Sequence, residues 1–146
     1  MKRRTHLTYL LLLALPGLWT GCGRKASRIR VAPGQTVLAF GDSVTFGTGA
    51  APGEDWPTHL AAATGWQVVN AGLPGDTAQA AQSRLLALLA QHRPALVIVE
   101  IGGNDFLRRR SAAEVKTDIR ALLQAAKGSG AQVVLVAVPA EVSVPS

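Results

Sequence analysis

Four short apolar runs alternate with segments of helical pattern along this chain, and that alternation limits the fold more than any other feature of the sequence. Three of the runs are apolar on both faces, which is typical of strands in a parallel sheet that is covered by helices. The alternation therefore predicts a doubly wound α/β domain with right-handed crossovers. The predicted strands are 36–40, 67–70, 95–101 and 132–138, and the predicted helices are 56–64, 77–91 and 111–127.

The first 21 residues are predicted to be an export signal. Basic residues occupy positions 2–4, an apolar run covers 7–15, and Cys22 follows two small residues. The run is too short for a membrane span, which needs roughly 20 apolar residues. Because the cysteine stands directly after a cleavage-like site, we expect a lipid-anchored protein of the periplasm or cell envelope, with 22–35 as a tether. Plain secretion and an uncleaved anchor are the alternatives.

The composition argues against several classes of function. The 146 residues suffice for one domain, and removal of the signal leaves 12 basic against 9 acidic residues, a net charge of about +3. That excess is too small to indicate nucleic-acid binding. The single cysteine cannot form an internal disulfide. Because no metal-ligand cluster or phosphate-binding motif is found, neither a metal nor another cofactor is expected.

Polar, glycine-containing segments follow the first three predicted strands. They contain Ser43 after the first strand, Gly72 after the second and Asn104 after the third. The carboxyl ends of parallel strands share one edge of the sheet, where the sites of doubly wound folds lie. A serine hydroxyl, a glycine N–H and an asparagine amide would meet there. These are the nucleophile and the oxyanion donors that acyl transfer requires.

These segments resemble the first three sequence blocks of the SGNH/GDSL hydrolase superfamily, and are most similar to its periplasmic acyl thioesterase, lysophospholipase and arylesterase group. The resemblance implies the SGNH hydrolase fold, a three-layer α/β/α arrangement with a mostly parallel, flavodoxin-like sheet, and a serine esterase without a cofactor. The strings that carry it are Phe40-Gly41-Asp42-Ser43-Val44-Thr45, Val69-Asn70-Ala71-Gly72, Pro74-Gly75-Asp76-Thr77 and Gly102-Gly103-Asn104-Asp105.

The resemblance also implies a role for each site residue. Ser43 would be the nucleophile, and the oxyanion hole would be formed by the backbone N–H groups of Ser43 and Gly72 and by the side-chain amide of Asn104. Gly72 is expected to be glycine so that the backbone can approach the substrate. The supporting residues, which are expected to order the loops, are Gly41, Asp42, Gly103 and Asp105.

One block of the family's pattern is absent from the sequence. The family closes its catalytic triad with a C-terminal Asp-x-x-His block, and no histidine follows His92 here. His59 and His92 lack an aspartate at that spacing and are expected to be surface or packing residues. We therefore predict that the hydrolase domain, 36–146, is incomplete, and that its sheet is truncated after the fourth strand. A serine without a base is a poor nucleophile, so this chain is expected to be weak or inactive alone.

Two classes of function stay open at this point. The first is a serine ester hydrolase that acts on a small acyl ester or thioester, and the intact Ser43, Gly72 and Asn104 favour it. The second is a non-catalytic lipoprotein that keeps an SGNH-like fold to bind a ligand or partner, and the absent histidine favours it. A frameshifted or prematurely stopped gene would be a third explanation of the C-terminal sequence.

Overall fold

The computed structural model describes residues 28–137, in which five helices and four strands alternate. Every strand and helix expected from the sequence is present there. The predicted signal peptide, Cys22, the start of the predicted tether and Val138 lie outside the described residues. The elements are β1 (Thr36–Gly41), α1 (Ser43–Phe46), α2 (Trp56–Thr64), β2 (Gln67–Gly72), α3 (Ala81–His92), β3 (Leu96–Glu100), α4 (Gly103–Leu107), α5 (Ala112–Gly128) and β4 (Gln132–Leu135).

The structure departs from the expected elements in three ways, one of which is that β4 ends at Leu135 although a strand was predicted over 132–138. The short helices α1 and α4 were not predicted, because one helical turn is too short to show a periodic pattern. The helix expected from position 77 begins at Ala81 instead. The N–H of Ala78 donates to the distant Asp105 carboxylate, and Ala80 N–H donates to Thr77 Oγ1, so a turn precedes the helix.

The four strands form one parallel sheet in the order β2-β1-β3-β4. This flavodoxin-like order confirms the predicted α/β class. The two central strands, β1 and β3, are almost wholly buried, whereas β2 and β4 are only partly buried. Gly41 at the end of β1 pairs with Gly72 on one side and with Glu100 on the other. The three segments that follow these strands therefore start side by side.

Helices cover both faces of the sheet. On one face, α3 and α5 pack on Leu38, Phe40 and Val97, with Leu85 and Leu122 fully buried between the layers. On the other face, a smaller cluster centres on Val37 and Leu96, against which Trp56 and Leu60 of α2 pack. Burying one large aliphatic or aromatic side chain stabilises a fold by about 1.5–3 kcal/mol, so these clusters hold the sheet in place.

The helix ends follow the sequence signals closely. Ser111 and Glu114 form a capping box at the start of α5, and Pro57 lies in the first turn of α2, after the Asp55 cap. Among residues 28–137, no helix has the length and apolar character that crossing a membrane demands.

Candidate functional site

Ser43 lies at the carboxyl edge of the sheet as the first residue of α1. The cap of this helix is Asp42, whose Oδ1 accepts the Val44 N–H at 3.1 Å. Ser43 is therefore not needed as a cap. Its half-buried hydroxyl and its backbone N–H have no hydrogen-bond partner within residues 28–137. Ser43 thus presents both an unengaged hydroxyl and an unengaged N–H.

The second predicted donor, Gly72, is the last residue of β2. The Gly72 N–H donates to Asn70 Oδ1 at 3.0 Å, so it is already engaged. A Cβ at Gly72 would overlap the backbone of α1, with Phe46 Cα at 2.5 Å and Thr45 C at 2.6 Å. Glycine is required there because a helix packs on it, and close approach of a substrate is not needed to explain it.

Gly75 lies in the loop between β2 and α3. It has a left-handed φ of 80°, which favours glycine, and it is exposed. Its N–H has no acceptor in the described part of the chain. The next residue, Asp76, accepts a hydrogen bond from Asn104 through its backbone carbonyl. Gly75 therefore has a free N–H and directly precedes the residue that Asn104 contacts.

Asn104 lies in α4, directly after the third strand, and its side chain joins the three segments. Its Nδ2 donates to the Asp76 carbonyl at 3.0 Å and to Asp42 Oδ2 at 3.4 Å. The structure thus brings Asn104 to the segment that holds Ser43 and to the β2–α3 loop. The 3.4 Å contact is long for a hydrogen bond, so one N–H of this amide is only weakly held.

The supporting residues have structural partners. Asp105 is fully buried and accepts the Ala78 N–H and an N–H of Arg110, both at 2.8 Å. A Cβ at Gly41 would overlap Thr45 Oγ1 and the Glu100 carbonyl. Gly103 is the first residue of α4. Asp105 and Gly41 therefore take part in contacts between the segments at this edge of the sheet.

Carboxylates crowd this edge of the sheet. Burial raises the pKa of Asp42, the Val44 N–H opposes that rise, and the nearby Asp76 and Asp105 add to it. Burial also raises the pKa of Glu100, while its hydrogen bond from Thr45 Oγ1, at 2.8 Å, lowers it. Negative charge at this edge is therefore costly, and the cations that lie against it are important to its structure.

Neither described histidine is joined to Ser43. His59 is exposed in α2, and His92 ends α3, just before the amino end of β3. His92 is thus at the sheet edge opposite to Ser43. Within residues 28–137, no hydrogen bond links either ring to the serine hydroxyl. No group of His, Cys, Asp and Glu in that range could hold a metal ion.

The sequence analysis missed Arg84, whose side chain reaches this edge from α3. Its guanidinium donates to Asp76 Oδ2, to the Ala71 carbonyl and to the Gly41 carbonyl. A signal was present, because Arg84 is three residues after Ala81 and one before Leu85, both fully buried. A charged residue beside the buried face of a helix requires a partner.

An apolar cleft of about 230 Å³ opens between α4, α5 and the end of β4. Phe106, two residues after Asn104, lies on its wall. The cleft therefore borders the helix that carries Asn104. Its other apolar lining residues include Ile101, Val115, Ile119, Leu135 and Val136.

Comparison with known proteins gives consistent matches. The sequence profile of the GDSL-like Lipase/Acylhydrolase family matches residues 39–146. Esterase TesA of Pseudomonas aeruginosa is 35% identical over 126 residues, which are 83% of this chain and 63% of TesA. Thioesterase 1/protease 1/lysophospholipase L1 of Escherichia coli K12 is 37% identical over 136 residues, which are 90% of this chain and 59% of that protein.

Solved structures agree with these matches. The crystal structure of AlinE4, an SGNH-hydrolase family esterase, superposes with a TM-score of 0.67 at 34% identity. The match covers 73% of this chain and 60% of AlinE4. This chain therefore spans about three-fifths of the length of the relatives it matches.

Proposed function

Because this chain belongs to the GDSL-like Lipase/Acylhydrolase family, we propose that it is a serine ester hydrolase in which Ser43 attacks the acyl carbonyl. The attack would give a tetrahedral oxyanion, and release of the alcohol or thiol would leave an acyl group on Ser43 Oγ. Water would then release the acid. The related proteins are named esterase, thioesterase and lysophospholipase, which supports an ester or thioester substrate.

The observation that carries this proposal is the junction at Asn104. Its amide donates to the Asp76 carbonyl and to Asp42, the residue before Ser43. The hydroxyl and the N–H of Ser43 are unengaged. In the proposed oxyanion hole, the Ser43 N–H and the weakly held N–H of Asn104 donate to the developing charge. Losing one such donor typically lowers turnover ~10²–10³-fold.

The third donor of the proposed hole comes from the β2–α3 segment. Gly72 is the proposed donor, with the oxyanion replacing Asn70 Oδ1 as the acceptor of its N–H. The N–H of Gly75, which has no acceptor in the described part of the chain, is the second candidate.

The apolar cleft beside α4 supports an acyl substrate. Its walls are mostly aliphatic and aromatic, and it borders the helix of Asn104. An acyl chain would bury apolar surface there, at about 25 cal/mol per Å². The carbonyl at the head of the chain would then face the polar edge of the sheet.

The proposed chemistry also needs a base for Ser43. The 146 residues contain no Asp-x-x-His block, and within residues 28–137 no hydrogen bond joins His59 or His92 to Ser43. In a triad enzyme, loss of the histidine costs about as much turnover as loss of the whole triad, roughly 10⁶-fold in subtilisin. A slow reaction is therefore expected for this chain, and an external base should accelerate it.

We also propose that the protein is exported and anchored by lipid at Cys22. The basic, apolar and small-residue pattern before that cysteine supports this proposal, and the segment lies outside the described residues. Cells that express the chain should incorporate labelled palmitate into it, and Cys22→Ser should abolish the label. Equal labelling of both chains would contradict the assignment to Cys22.

The test of the proposed hydrolase is cleavage of a short-chain p-nitrophenyl ester by the purified chain, with and without imidazole as an external base. Three proteins are compared: the unchanged chain, Ser43→Ala and Ser83→Ala. Ser83 is exposed in the first turn of α3, so its variant is a matched control for loss of a serine hydroxyl. We expect imidazole to raise the hydrolysis rate of the unchanged chain and of Ser83→Ala. The rate of Ser43→Ala should stay at background with or without imidazole.

Equal rates in all three folded proteins would rule out Ser43 as the nucleophile in this chain. Circular dichroism establishes that each sample is folded. That result would favour the second candidate, a non-catalytic acyl-binding protein, for which the apolar cleft at Phe106 is the supporting observation. Fatty-acid binding that Phe106→Asp weakens, without any turnover that depends on Ser43, would identify this alternative.

A further inference from the structure

Arg84 is placed where one side chain can reach two of the site's three segments directly. It projects from α3, and its side chain is 24% exposed. The guanidinium carbon lies 4.2 Å from the ring centre of Phe40, the last side chain of β1 before Gly41. The aromatic face supports the cation on one side, which favours one fixed orientation.

The acceptors of Arg84 lie at the ends of two strands. One N–H donates to the Gly41 carbonyl at 3.1 Å, at the end of β1. Another donates to the Ala71 carbonyl at 2.6 Å, near the end of β2. Two more, from Nε and one terminal nitrogen, donate to Asp76 Oδ2 at 3.0 and 2.8 Å.

Each acceptor is linked to a group of the proposed site. Gly41 is followed directly by Asp42 and Ser43. Asp76 is bound through its side chain by Arg84 and through its carbonyl by Asn104. Ala71 and Asp76 also bracket the segment that contains Gly72 and Gly75. One guanidinium thus connects, directly or through Asp76, the backbone that carries every proposed oxyanion donor.

Only arginine suits this arrangement. A guanidinium has five N–H donors in a rigid plane, and here four hydrogen bonds to three residues use that plane. Lysine offers one charged nitrogen on a flexible stem, so it could keep the Asp76 ion pair but could not span both carbonyls as well. A displacement of about 1 Å in such a site can lower turnover ~10²-fold.

We propose that Arg84 is a positioning residue, which holds the β1–α1 and β2–α3 segments at the spacing that oxyanion stabilisation requires. The inference rests on the proposed hydrolase function for its catalytic consequence. The ordering of the two segments by Arg84 is independent of that function. Four of the five guanidinium N–H donors are engaged by the protein, so the role that we assign to Arg84 is to position backbone and not to bind the substrate.

The experiment compares Arg84→Met, Arg84→Lys and the control Arg120→Met in the full chain. Arg120 is an exposed arginine in α5 without a hydrogen-bond partner among residues 28–137. Two readouts are taken: kcat and KM for the p-nitrophenyl ester with imidazole, and amide hydrogen exchange by mass spectrometry. We expect kcat to fall ~10²-fold in Arg84→Met and less in Arg84→Lys, with KM little changed. Exchange should rise in 71–78 and stay unchanged in β1 and β3.

Other results would overturn the inference. If amide exchange in residues 71–78 is the same in Arg84→Met as in the control Arg120→Met, Arg84 does not order this loop. Exchange that rises equally over the whole sheet, with kcat per folded molecule unchanged, would show a general structural role. If Arg84→Met does not fold, Arg84→Lys decides by the same criteria. If the unchanged chain shows no turnover that depends on Ser43, the proposed function fails, while the exchange data still decide the role of Arg84.

Discussion

Replacing Asp105 by alanine should destabilise the fold by about 3 kcal/mol, a large part of the 5–15 kcal/mol that holds a typical domain together. The Asp105 carboxylate is fully buried and accepts hydrogen bonds from the Ala78 N–H and from Arg110. Its loss leaves the buried Ala78 N–H without an acceptor, which alone costs about 1–3 kcal/mol. The estimate is at the low end for a broken buried pair because Arg110 is partly exposed and keeps Asp118 as a partner.

Asp118→Ala is the matched control for this prediction. Asp118 binds the same Arg110 nitrogen, at 2.7 Å, but its side chain is 22% exposed. Water can replace much of that interaction, so a much smaller loss is expected. Urea unfolding, followed by circular dichroism, measures both variants. If Asp105→Ala and Asp118→Ala unfold at similar urea concentrations, burial does not set the contribution of Asp105 to the free energy of unfolding.

Gly72→Ala is expected to cost about 3 kcal/mol and to displace the helix that carries Ser43. The new methyl group would overlap backbone atoms of Phe46 and Thr45. Rotating a side chain cannot relieve this overlap, so α1 must move away from β2. The cost is therefore placed at the upper end of the range for overpacking. The same urea titration measures the loss, and reaction of Ser43 with a fluorophosphonate probe reports the position of α1.

Gly128→Ala is the control for the added methyl group. Gly128 is the last residue of α5, and a Cβ there would meet no atom within 4 Å. That change should be neutral or stabilising by up to about 1 kcal/mol, because alanine restricts the unfolded chain. A Gly72→Ala protein as stable and as reactive as Gly128→Ala would show that α1 does not pack on Gly72 as described.

Much of the fold could be predicted because the determining signals are local. The apolar runs defined the strands, and the Ser111–Glu114 pair defined the start of α5. The flavodoxin-like strand order was expected from the resemblance to SGNH/GDSL hydrolases, and the structure has that order. The start of α3 could not be predicted, because the turn before it depends on Asp105, which is 27 residues beyond Ala78.

The candidate site was predictable in its residue types but less so in its contacts. Ser43 and Asn104 lie at the predicted edge of the sheet. Gly72 was assigned as an oxyanion donor, yet its N–H donates to Asn70 and its missing side chain makes room for α1. The sequence marks a glycine in that place, but two different physical requirements lead to the same residue. Only the positions of neighbouring atoms distinguish them.

The sequence by itself determined the order of strands and helices, the helix caps and the edge of the sheet at which polar residues gather. Those features follow from periodicity and from hydrogen bonds between residues a few positions apart. The tertiary structure alone decided which groups are engaged. Arg84 binds the carbonyl of Gly41 across 43 positions, and Asn104 reaches Asp42 across 62. Such pairs form only when packing of the helices on the sheet brings distant segments together, so no local pattern in the sequence identifies the two partners.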